Sequence, residues 1–382
     1  MATKKKSGSR PTAKKAAKSK RKAKVAGAAA ARPRKAPTGG GPVTLDEARA
    51  LARARQPKRA LRRAAAGPPA TAATVGEERE RLEQQRRAER ERRIREYKDT
   101  MEIMKRRGAR RAAPKGTAGK AAKGRRRAPG APAAGFQPLQ VFAEGDSWFD
   151  YPPFLIKGGI IPRLESRLGV PILNLAKAGD EVRFMLGVEQ RQRLSELLTD
   201  GCPAGGPWDA LLFSGGGNDI VDNPMALWVR DFDPAIPPAS HLNQPRFDAA
   251  LGLVRAGYED LIILRDKLSP GTHLVFHGYD FAIPDGRGIC HLGPWLKPTF
   301  DLRGFPNRAS AFAVVEAMLK QFAAMLATLA AQPKVTFING QGTLAPDPSA
   351  WHNELHPNRD GFDKFADLFA ATLRGVFPGR VQ

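Results

Sequence analysis

The segment LQVFAEGDSWFD, residues 139–150, contains the first predicted strand of a folded domain and the polar residues that follow it. Its first five residues, 139–143, are mostly apolar and predict a short strand. A glycine, an aspartate and a serine follow within four residues, so polar chemistry begins where the strand ends. This strand and its polar end are the reference points for predicting the other elements of the domain.

Four further apolar runs predict strands, and five stretches with helical periodicity accompany them. The runs are 172–175, 210–213, 274–276 and 335–338, and the helical stretches lie near 158–168, 182–199, 246–268, 309–330 and 358–374. Alternating strands and helices predict an α/β domain, in which a parallel sheet has helices on both faces. In such a sheet the active site lies at the carboxyl ends of the strands.

The basic residues of the chain are concentrated upstream of this domain. The 382 residues carry a formal net charge of +25, but residues 1–135 hold 41 basic and 11 acidic side chains, a balance of +30, which leaves −5 for residues 136–382. A segment this basic, with almost no aromatic residues, cannot bury enough apolar surface to offset its chain entropy. We therefore predict a disordered, basic, low-complexity extension over 1–135 and one folded domain over 136–382.

One part of the extension has a different composition. Glutamates and arginines at i,i+4 spacing, such as Glu89 with Arg93, support a helix near 77–107. Four apolar residues between 94 and 104 follow the helical spacing, but this seam is too short for a coiled coil. The pattern predicts a lone charged helix.

Cysteine usage and hydropathy limit the class of protein. Cys202 and Cys290 are too few for a disulfide scaffold or a multi-cysteine zinc pattern, and we expect both thiols to be free. No secretory signal and no transmembrane segment are expected, because no apolar run is long enough. A transit peptide stays open as an alternative to the expected cytoplasmic location. No metal or other cofactor is expected, since His273 and His277 have no third ligand at metal spacing.

Small and polar residues stand near the ends of four predicted strands. They form the blocks GDS at 145–147, NLAKAGD at 174–180, SGGGND at 214–219 and WHNELHP at 351–357. Together these blocks resemble those of the SGNH (GDSL-type) hydrolases, a family of flavodoxin-like esterases, lipases and thioesterases. The resemblance spans about residues 139–374 and leaves the N-terminal third unmatched. It implies a flavodoxin-like, three-layer α/β/α fold with a five-stranded parallel sheet.

The resemblance also implies a role for each block. Ser147 would be the nucleophile and His356 its general base, as ester hydrolysis requires. The backbone N–H groups of Ser147 and Gly179, with the side-chain amide of Asn218, would form the oxyanion hole. A glycine at 179 lets the backbone approach a substrate closely, and an asparagine donates without needing to titrate.

The third member of the triad departs from the family pattern. The family usually has an aspartate three residues before the histidine, and here that position is Asn353. An asparagine carbonyl can hold the histidine ring, but it supplies no charge to stabilise the imidazolium. Asp347 and Glu354 are the alternative third members.

Simpler roles stay open for some of these residues. Ser147, taken alone, could be the cap of a helix. His352 could be a surface residue that neighbours the base. Three aspartates are expected to hold loops by accepting backbone N–H groups: Asp146, Asp180 and Asp219. Several aromatic residues either line a substrate pocket or pack as core: Trp148, Phe149, Tyr151, Phe154 and Tyr279. The nucleophile elbow of α/β-hydrolases is excluded, because Phe149 stands where that motif requires glycine.

Two functions follow, from different classes. The resemblance implies a serine esterase that hydrolyses an acyl ester through an acyl-enzyme, with a carboxylic ester, a lysophospholipid-like ester or an acetylated compound as its small substrate. The alternative is a catalytically weak binding module of the same fold, tethered to a polyanion by the basic tail, and Asn353 favours it. With a balance of +30, residues 1–135 are expected to bind nucleic acid, polyphosphate or an anionic surface nonspecifically, with an affinity that falls steeply as salt rises.

Overall fold

Five parallel strands form one sheet in the computed structural model, which describes residues 41–55, 75–110, 136–289 and 292–382. The strands are β1 (Val141–Gly145), β2 (Ile172–Asn174), β3 (Ala210–Ser214), β4 (His273–His277) and β5 (Val335–Ile338). Their order is β2-β1-β3-β4-β5. This is the flavodoxin-like order, whose switch point lies between β1 and β3, and it confirms the predicted fold class. Predictions for Cys290 and for the remaining parts of the extension lie outside the described residues.

The described residues also form ten α-helices. They are α1 (Leu45–Arg55), α2 (Val75–Arg107), α3 (Pro153–Ile156), α4 (Ile160–Leu168), α5 (Val182–Met185), α6 (Val188–Asp200), α7 (Gln244–Leu268), α8 (Lys297–Leu302), α9 (Arg308–Leu329) and α10 (Arg359–Val376). Three short 3-10 helices cover Asn223–Leu227, Pro238–His241 and Pro348–Ala350.

The strands lie where the apolar runs predict them, with one shift of two residues. β1 begins at Val141 and continues through Gly145, because Glu144 and Gly145 pair in register with Phe213 and Ser214 of β3. The helix predicted over 182–199 is divided into α5 and α6. The shift of β1 carries the strand up to Asp146, so Ser147 stands at its immediate carboxyl end.

Two successive residues of β4 show how the helices cover both faces of the sheet. Phe276 packs against Tyr258 of α7 at 4.8 Å between ring centroids, and His277 packs against Phe369 of α10 at 5.4 Å. Successive side chains of a strand point to opposite faces. Helices α7 and α10 therefore lie on opposite sides, and the core is divided between the two faces.

Helix α2 is not isolated from the α/β layers. Tyr97 and Met101 are buried in the same hydrophobic cluster as the strands, and the Tyr97 ring lies 5.6 Å from that of Trp208. The Tyr97 hydroxyl also lies 3.7 Å from the Sγ of Cys202, a buried free thiol. The short apolar seam that is inadequate for a coiled coil thus packs on the domain. The packing crosses the compositional boundary at residue 135.

Helix α1 covers the other side of this seam. Ile103 and Met104 of α2 are buried in a second cluster with Leu45 and Ala48 of α1. Both helices belong to the same compact unit as the sheet, Pro37–Gln382. Helix α2 therefore packs against both α1 and the α/β layers.

Helix α9 is long and apolar enough, by length and composition alone, to cross a membrane. In the structure Val314, Met318 and Phe322 of this helix are buried in the main cluster, and the helix contacts α7 and β5. A core helix of an α/β domain has the same properties, so composition is weak evidence for a membrane span here.

Candidate active site

Ser147 follows β1 at the switch point of the sheet. Its side chain is largely buried, with 8% of the residue exposed, and its Oγ lies 2.7 Å from Nε2 of His356. Gly145 precedes it where a side chain would not fit, because a Cβ would lie 2.6 Å from the backbone oxygen of Ser214. The sheet can therefore bring β1 and β3 together only with glycine at this position.

His356 lies in the loop before α10, where Asn353 orients it. The Oδ1 of Asn353 is 2.9 Å from Nδ1 of His356 and accepts the backbone N–H groups of Leu355 and His356 at 3.0 Å each. These two backbone donors identify the atom as the oxygen of the amide, so Nδ1 must carry a hydrogen to bond to it. The other ring nitrogen, Nε2, is then free to accept the hydrogen of the Ser147 hydroxyl.

The amide of Asn353 is held in turn by Tyr151. Its Nδ2 donates to the Tyr151 hydroxyl at 3.2 Å, and that hydroxyl lies 2.8 Å from Nδ1 of His352. The Tyr151 ring also packs on the His356 ring, with centroids 4.6 Å apart. From the sequence, Tyr151 is predicted either to line a substrate pocket or to pack in the core, and His352 is predicted to be a surface residue near the base. Sequence reasoning therefore misses their hydrogen-bonded link to the triad.

The imidazole of His356 is held in its neutral form. Burial, together with the nearby His352, lowers the pKa of His356 to about 3. The group that accepts its Nδ1 hydrogen is a neutral amide rather than a carboxylate, so no charge there opposes the shift. A neutral imidazole is the form that can accept a proton from serine.

The two alternative third members lie elsewhere. Asp347 is exposed at the start of the 3-10 helix Pro348–Ala350, where its carboxylate accepts the backbone N–H of Ser349 at 2.8 Å. Glu354 is fully buried, and its carboxylate accepts four backbone N–H groups from Gly286 and from residues 295–297, at 2.6 to 3.0 Å. Both carboxylates are committed to backbone donors, so Asn353 is the residue that contacts the His356 ring nitrogen.

Glu354 has a different effect, which the sequence does not reveal. By binding residues 286 and 295–297 it fixes the loop that precedes α8. This loop brings Trp295 to 6.0 Å from the His356 ring, and places Leu296 in the wall of the pocket beside Ser147. A single buried carboxylate therefore shapes one side of the site.

The predicted oxyanion donors converge on the ends of β1 and β2. The Asn218 amide donates one N–H to the backbone oxygen of Asp180 at 2.8 Å, which leaves its second N–H for a ligand. Gly179 has φ +78°, and a Cβ there would meet nothing within 4 Å, so open space faces it. Within the described part of the chain, no protein acceptor takes the backbone N–H of Ser147 or of Gly179.

A buried polar network lies behind Ser147. Asp146 accepts the backbone N–H of Trp148 at 2.9 Å and the Ser214 hydroxyl at 2.8 Å, and the Tyr279 hydroxyl donates to its second oxygen. His277 Nε2 lies 2.7 Å from the Ser214 hydroxyl oxygen. Burial raises the pKa of Asp146 to about 6 and lowers that of His277 to about 4. These groups hold the turn on which Ser147 stands.

The other two aspartates of the blocks differ from one another. Asp219 accepts the backbone N–H of Val182 at 2.9 Å, as expected for a residue that holds a loop. Asp180 accepts instead from the side chains of Lys177 and Gln190, at 2.9 Å each. The expectation of backbone donors is wrong for Asp180, whose partners belong to its own loop and to α6.

An apolar pocket of about 40 Å³ opens beside Ser147 and His356. Its wall includes six aliphatic or thioether side chains from the β3 loop, α9 and the loop before α8: Ile220, Val221, Leu296, Val315, Met318 and Leu319. Of the aromatic residues singled out in the sequence, Trp148 and Tyr279 line the pocket, whereas Phe149 packs in the core and Phe154 is exposed. The arrangement places a serine hydroxyl, a neutral imidazole, three N–H groups and an apolar wall next to one another.

A model of the GDSL-like lipase/acylhydrolase family matches residues 144–364. No curated protein sequence matches the chain. Solved structures similar to it include a lipase from a goat rumen metagenome, with 17% identity and TM-score 0.41 over 63% of this chain and 99% of that one. An extracellular lipase from Streptomyces rimosus has 16% identity and TM-score 0.39 over 61% and 99% of the two chains. A carbohydrate acetylesterase from Sinorhizobium meliloti has 14% identity and TM-score 0.37 over 63% and 100%.

Proposed function

Since the chain belongs to the GDSL-like lipase/acylhydrolase family, whose members hydrolyse ester bonds, we propose that it is a serine esterase that works through an acyl-enzyme on Ser147. The observation that carries this proposal is the continuous hydrogen-bonded chain from Ser147 Oγ through the His356 ring to Asn353, at 2.7 and 2.9 Å. A serine that only capped a helix would not need a neutral base on its hydroxyl.

In the first half of the reaction His356 acts as a base. Its Nε2 takes the hydroxyl proton while Oγ of Ser147 bonds to the ester carbonyl carbon, and the carbonyl oxygen becomes negative. The N–H groups of Ser147 and Gly179 and the Asn218 amide stabilise that oxygen. Protonated His356 then gives its proton to the departing alcohol as the tetrahedral intermediate collapses to the acyl-enzyme.

The second half repeats these steps with water. His356 takes a proton from water while the water oxygen bonds to the acyl carbon, and the same donors stabilise the second oxyanion. Collapse breaks the bond to Oγ, which regains a proton from His356, and the carboxylic acid leaves. Asn353 orients the ring throughout, and the imidazolium forms without a neighbouring carboxylate.

The pocket supports an apolar and short acyl group. Its wall is mainly aliphatic, with Val221, Val315 and Leu319 among the lining residues, so acyl chains gain by leaving water there. Its volume of about 40 Å³ suits an acetyl group better than a long chain. Among the substrates that the family resemblance implies, we therefore propose short-chain carboxylic esters and acetylated compounds.

Burst kinetics on p-nitrophenyl esters would test this function. We expect a rapid release of p-nitrophenol equal to the amount of enzyme, followed by slower turnover, because the acyl-enzyme accumulates when its hydrolysis is the slow step. Acetate and butyrate esters should react faster than octanoate and palmitate esters. A protein with intact fold and neither burst nor turnover on any ester would instead support the binding module tethered by its basic extension.

The lowered pKa of the buried His356 imidazole predicts an unusual pH dependence. The base works only when unprotonated, so activity is present above the pKa of His356 and lost as pH falls through it. Because that pKa is lowered to about 3, kcat/KM should stay near its neutral value down to about pH 5, well below the ordinary histidine pKa of about 6.5. A pH-stat measurement of ester hydrolysis would record the profile.

The substitution Asn353→Asp tests the cause of that profile. The new carboxylate keeps the two backbone donors and stabilises the imidazolium, so the acidic limb should move to higher pH and kcat should rise about 10-fold or more. Asp347→Asn, on an exposed carboxylate that does not contact the His356 ring, is the matched control and should change neither. An acidic limb near the ordinary histidine pKa, unmoved by Asn353→Asp, would contradict the assignment.

A further inference from the structure

Helix α2 lies outside the residues that the family model matches, yet one of its side chains reaches the loops of the site. We propose that Arg93 is a positioning residue, which holds the loop after the nucleophile and the loop of the oxyanion glycine in one geometry. This inference rests on the proposed roles of Ser147 and Gly179. It assigns to α2 a part in ester hydrolysis.

The guanidinium of Arg93 joins both loops directly. Its Nη1 donates to the backbone oxygens of Asn174 and Ala176, at 3.1 and 3.2 Å, and its Nη2 donates to Oδ1 of Asp150 at 3.2 Å. Asp150 comes three residues after Ser147, and Ala176 three residues before Gly179. One rigid, planar group therefore spans the two chain segments that supply the nucleophile and an oxyanion donor.

The side chain of Asn174 also links the loop after Ser147 to the loop that contains Gly179. Its Nδ2 donates to the backbone oxygen of Phe149 at 3.3 Å, and its Oδ1 accepts the N–H of Ala176 at 3.1 Å. The next residue, Lys177, donates its backbone N–H to the oxygen of Gly145 at 2.8 Å. The two loops are thus tied at several points, and Arg93 supplies the ties that come from outside the sheet.

The position of β2 explains why a side chain is needed here. β2 is an edge strand of only three residues, and its N–H and C=O groups alternate between β1 and the outer side. Leu175 donates toward β1, so the oxygens of Asn174 and Ala176 face outward, where the described residues form no further strand. Arg93 satisfies both oxygens, which otherwise would have only water as a partner.

Arg93 is itself held on a firm element. Its Nε donates to Glu89, one turn earlier on α2, at 3.1 Å. Tyr97, one turn later on the same face, is buried against Trp208. The Arg93 guanidinium is supported by the ion pair with Glu89 and by the packing of α2 through Tyr97. It can therefore hold the two loops in a fixed position relative to α2.

Kinetics of Arg93→Met, with Arg95→Met as the matched control, would test this role. Arg95 lies on the same helix and is exposed, and among the described residues it pairs only with Glu91, at 3.5 Å. Since a displacement of about 1 Å at a reacting group can cost 100-fold in rate, we expect kcat of Arg93→Met on p-nitrophenyl acetate to fall about 10- to 100-fold, with KM nearly unchanged. Arg95→Met should keep both values.

Two further measurements separate positioning from folding. Arg93→Lys should recover only part of kcat, because one ammonium cannot span three acceptors, and added guanidinium ion should raise the kcat of Arg93→Met but not of the wild type. If Arg93→Met does not fold, Arg93→Lys and Asp150→Asn carry the test, and both should lower kcat. Folded variants that retain full kcat would overturn the proposal.

The rate at which a fluorophosphonate probe labels Ser147 distinguishes this inference from the proposed function. Labelling of the wild type would first establish that Ser147 is nucleophilic. Slower labelling of Arg93→Met than of Arg95→Met then supports the positioning role, and equal rates refute it while leaving the esterase assignment intact. No labelling of the wild type would refute the esterase assignment, and the inference about Arg93 with it.

Discussion

Replacing Ser147 with alanine is expected to lower kcat/KM for a short-chain ester by about 10⁴- to 10⁶-fold, the range seen when a serine hydrolase loses its nucleophile. Without Oγ, no acyl-enzyme forms, and Nε2 of His356 loses the proton donor at 2.7 Å. The remaining N–H donors can still stabilise an oxyanion formed by direct attack of water, so a small residual rate is expected. Hydrolysis of p-nitrophenyl acetate and labelling by a fluorophosphonate probe would measure the loss.

The control for this experiment is another serine. Ser166→Ala alters an exposed residue of α4, whose Oγ donates to the backbone oxygen of Pro162 at 3.2 Å, and it should leave hydrolysis and labelling unchanged. Both variants remove one hydroxyl, and thermal unfolding should show that each retains the fold. If Ser147→Ala kept more than about one hundredth of the wild-type rate, the nucleophile would have to be another group.

Deletion of residues 1–135 is expected to cost most of the stability of the domain. The deletion removes Tyr97 and Met101 from the core cluster, and each fully buried side chain of this size contributes about 1.5–3 kcal/mol. Because a domain has only about 5–15 kcal/mol of net stability, a loss of about 3–6 kcal/mol from these two residues brings it close to unfolding. The free energy of unfolding in urea would measure the change.

A shorter deletion provides the comparison. Removing residues 1–40 takes away none of the contacts described above, although it removes many basic residues of the extension. The free energy of unfolding should therefore stay near that of the full chain. Equal stability of 41–382 and 136–382 would show that α2 adds nothing to the fold. The same pair of proteins would also show whether binding to DNA or polyphosphate, proposed for the extension, depends on residues 1–40.

The sheet could be predicted because its signals are local, and the candidate site residues followed from the family resemblance of the blocks near the strand ends. Each strand is a short apolar run, and Ser147, Gly179 and Asn218 follow such runs within about five residues. Asn353 was recognisable by its spacing from His356, and its alternatives were eliminated only by contacts. Nothing in the sequence near Glu354 indicates that it binds a loop some 60 residues earlier, since that pairing depends on how the chain folds back.

Helix α2 shows a different reason for failure. Averaged over residues 1–135, composition indicates a segment that cannot fold, and the strong charge conceals the few apolar residues that matter. Tyr97 and Met101 are two residues in a helix of 33, yet they are buried in the main core. The local spacing of residues predicted the helix correctly. The packing of α2 on the domain and the contacts of Arg93 with the two loops depend on tertiary structure, which local spacing does not show.

The edge of the sheet at β2 also bears on how molecules of this protein meet one another. Glu165 accepts the outward N–H of Ile172 at 2.8 Å and pairs with Arg49 of α1, while Arg93 of α2 occupies the outward oxygens of Asn174 and Ala176. An edge without such partners is a template on which a strand from a second molecule can pair. The two arginine-bearing helices therefore cover the outward hydrogen-bonding groups of this edge, and a preparation without them would be expected to aggregate as its concentration rises.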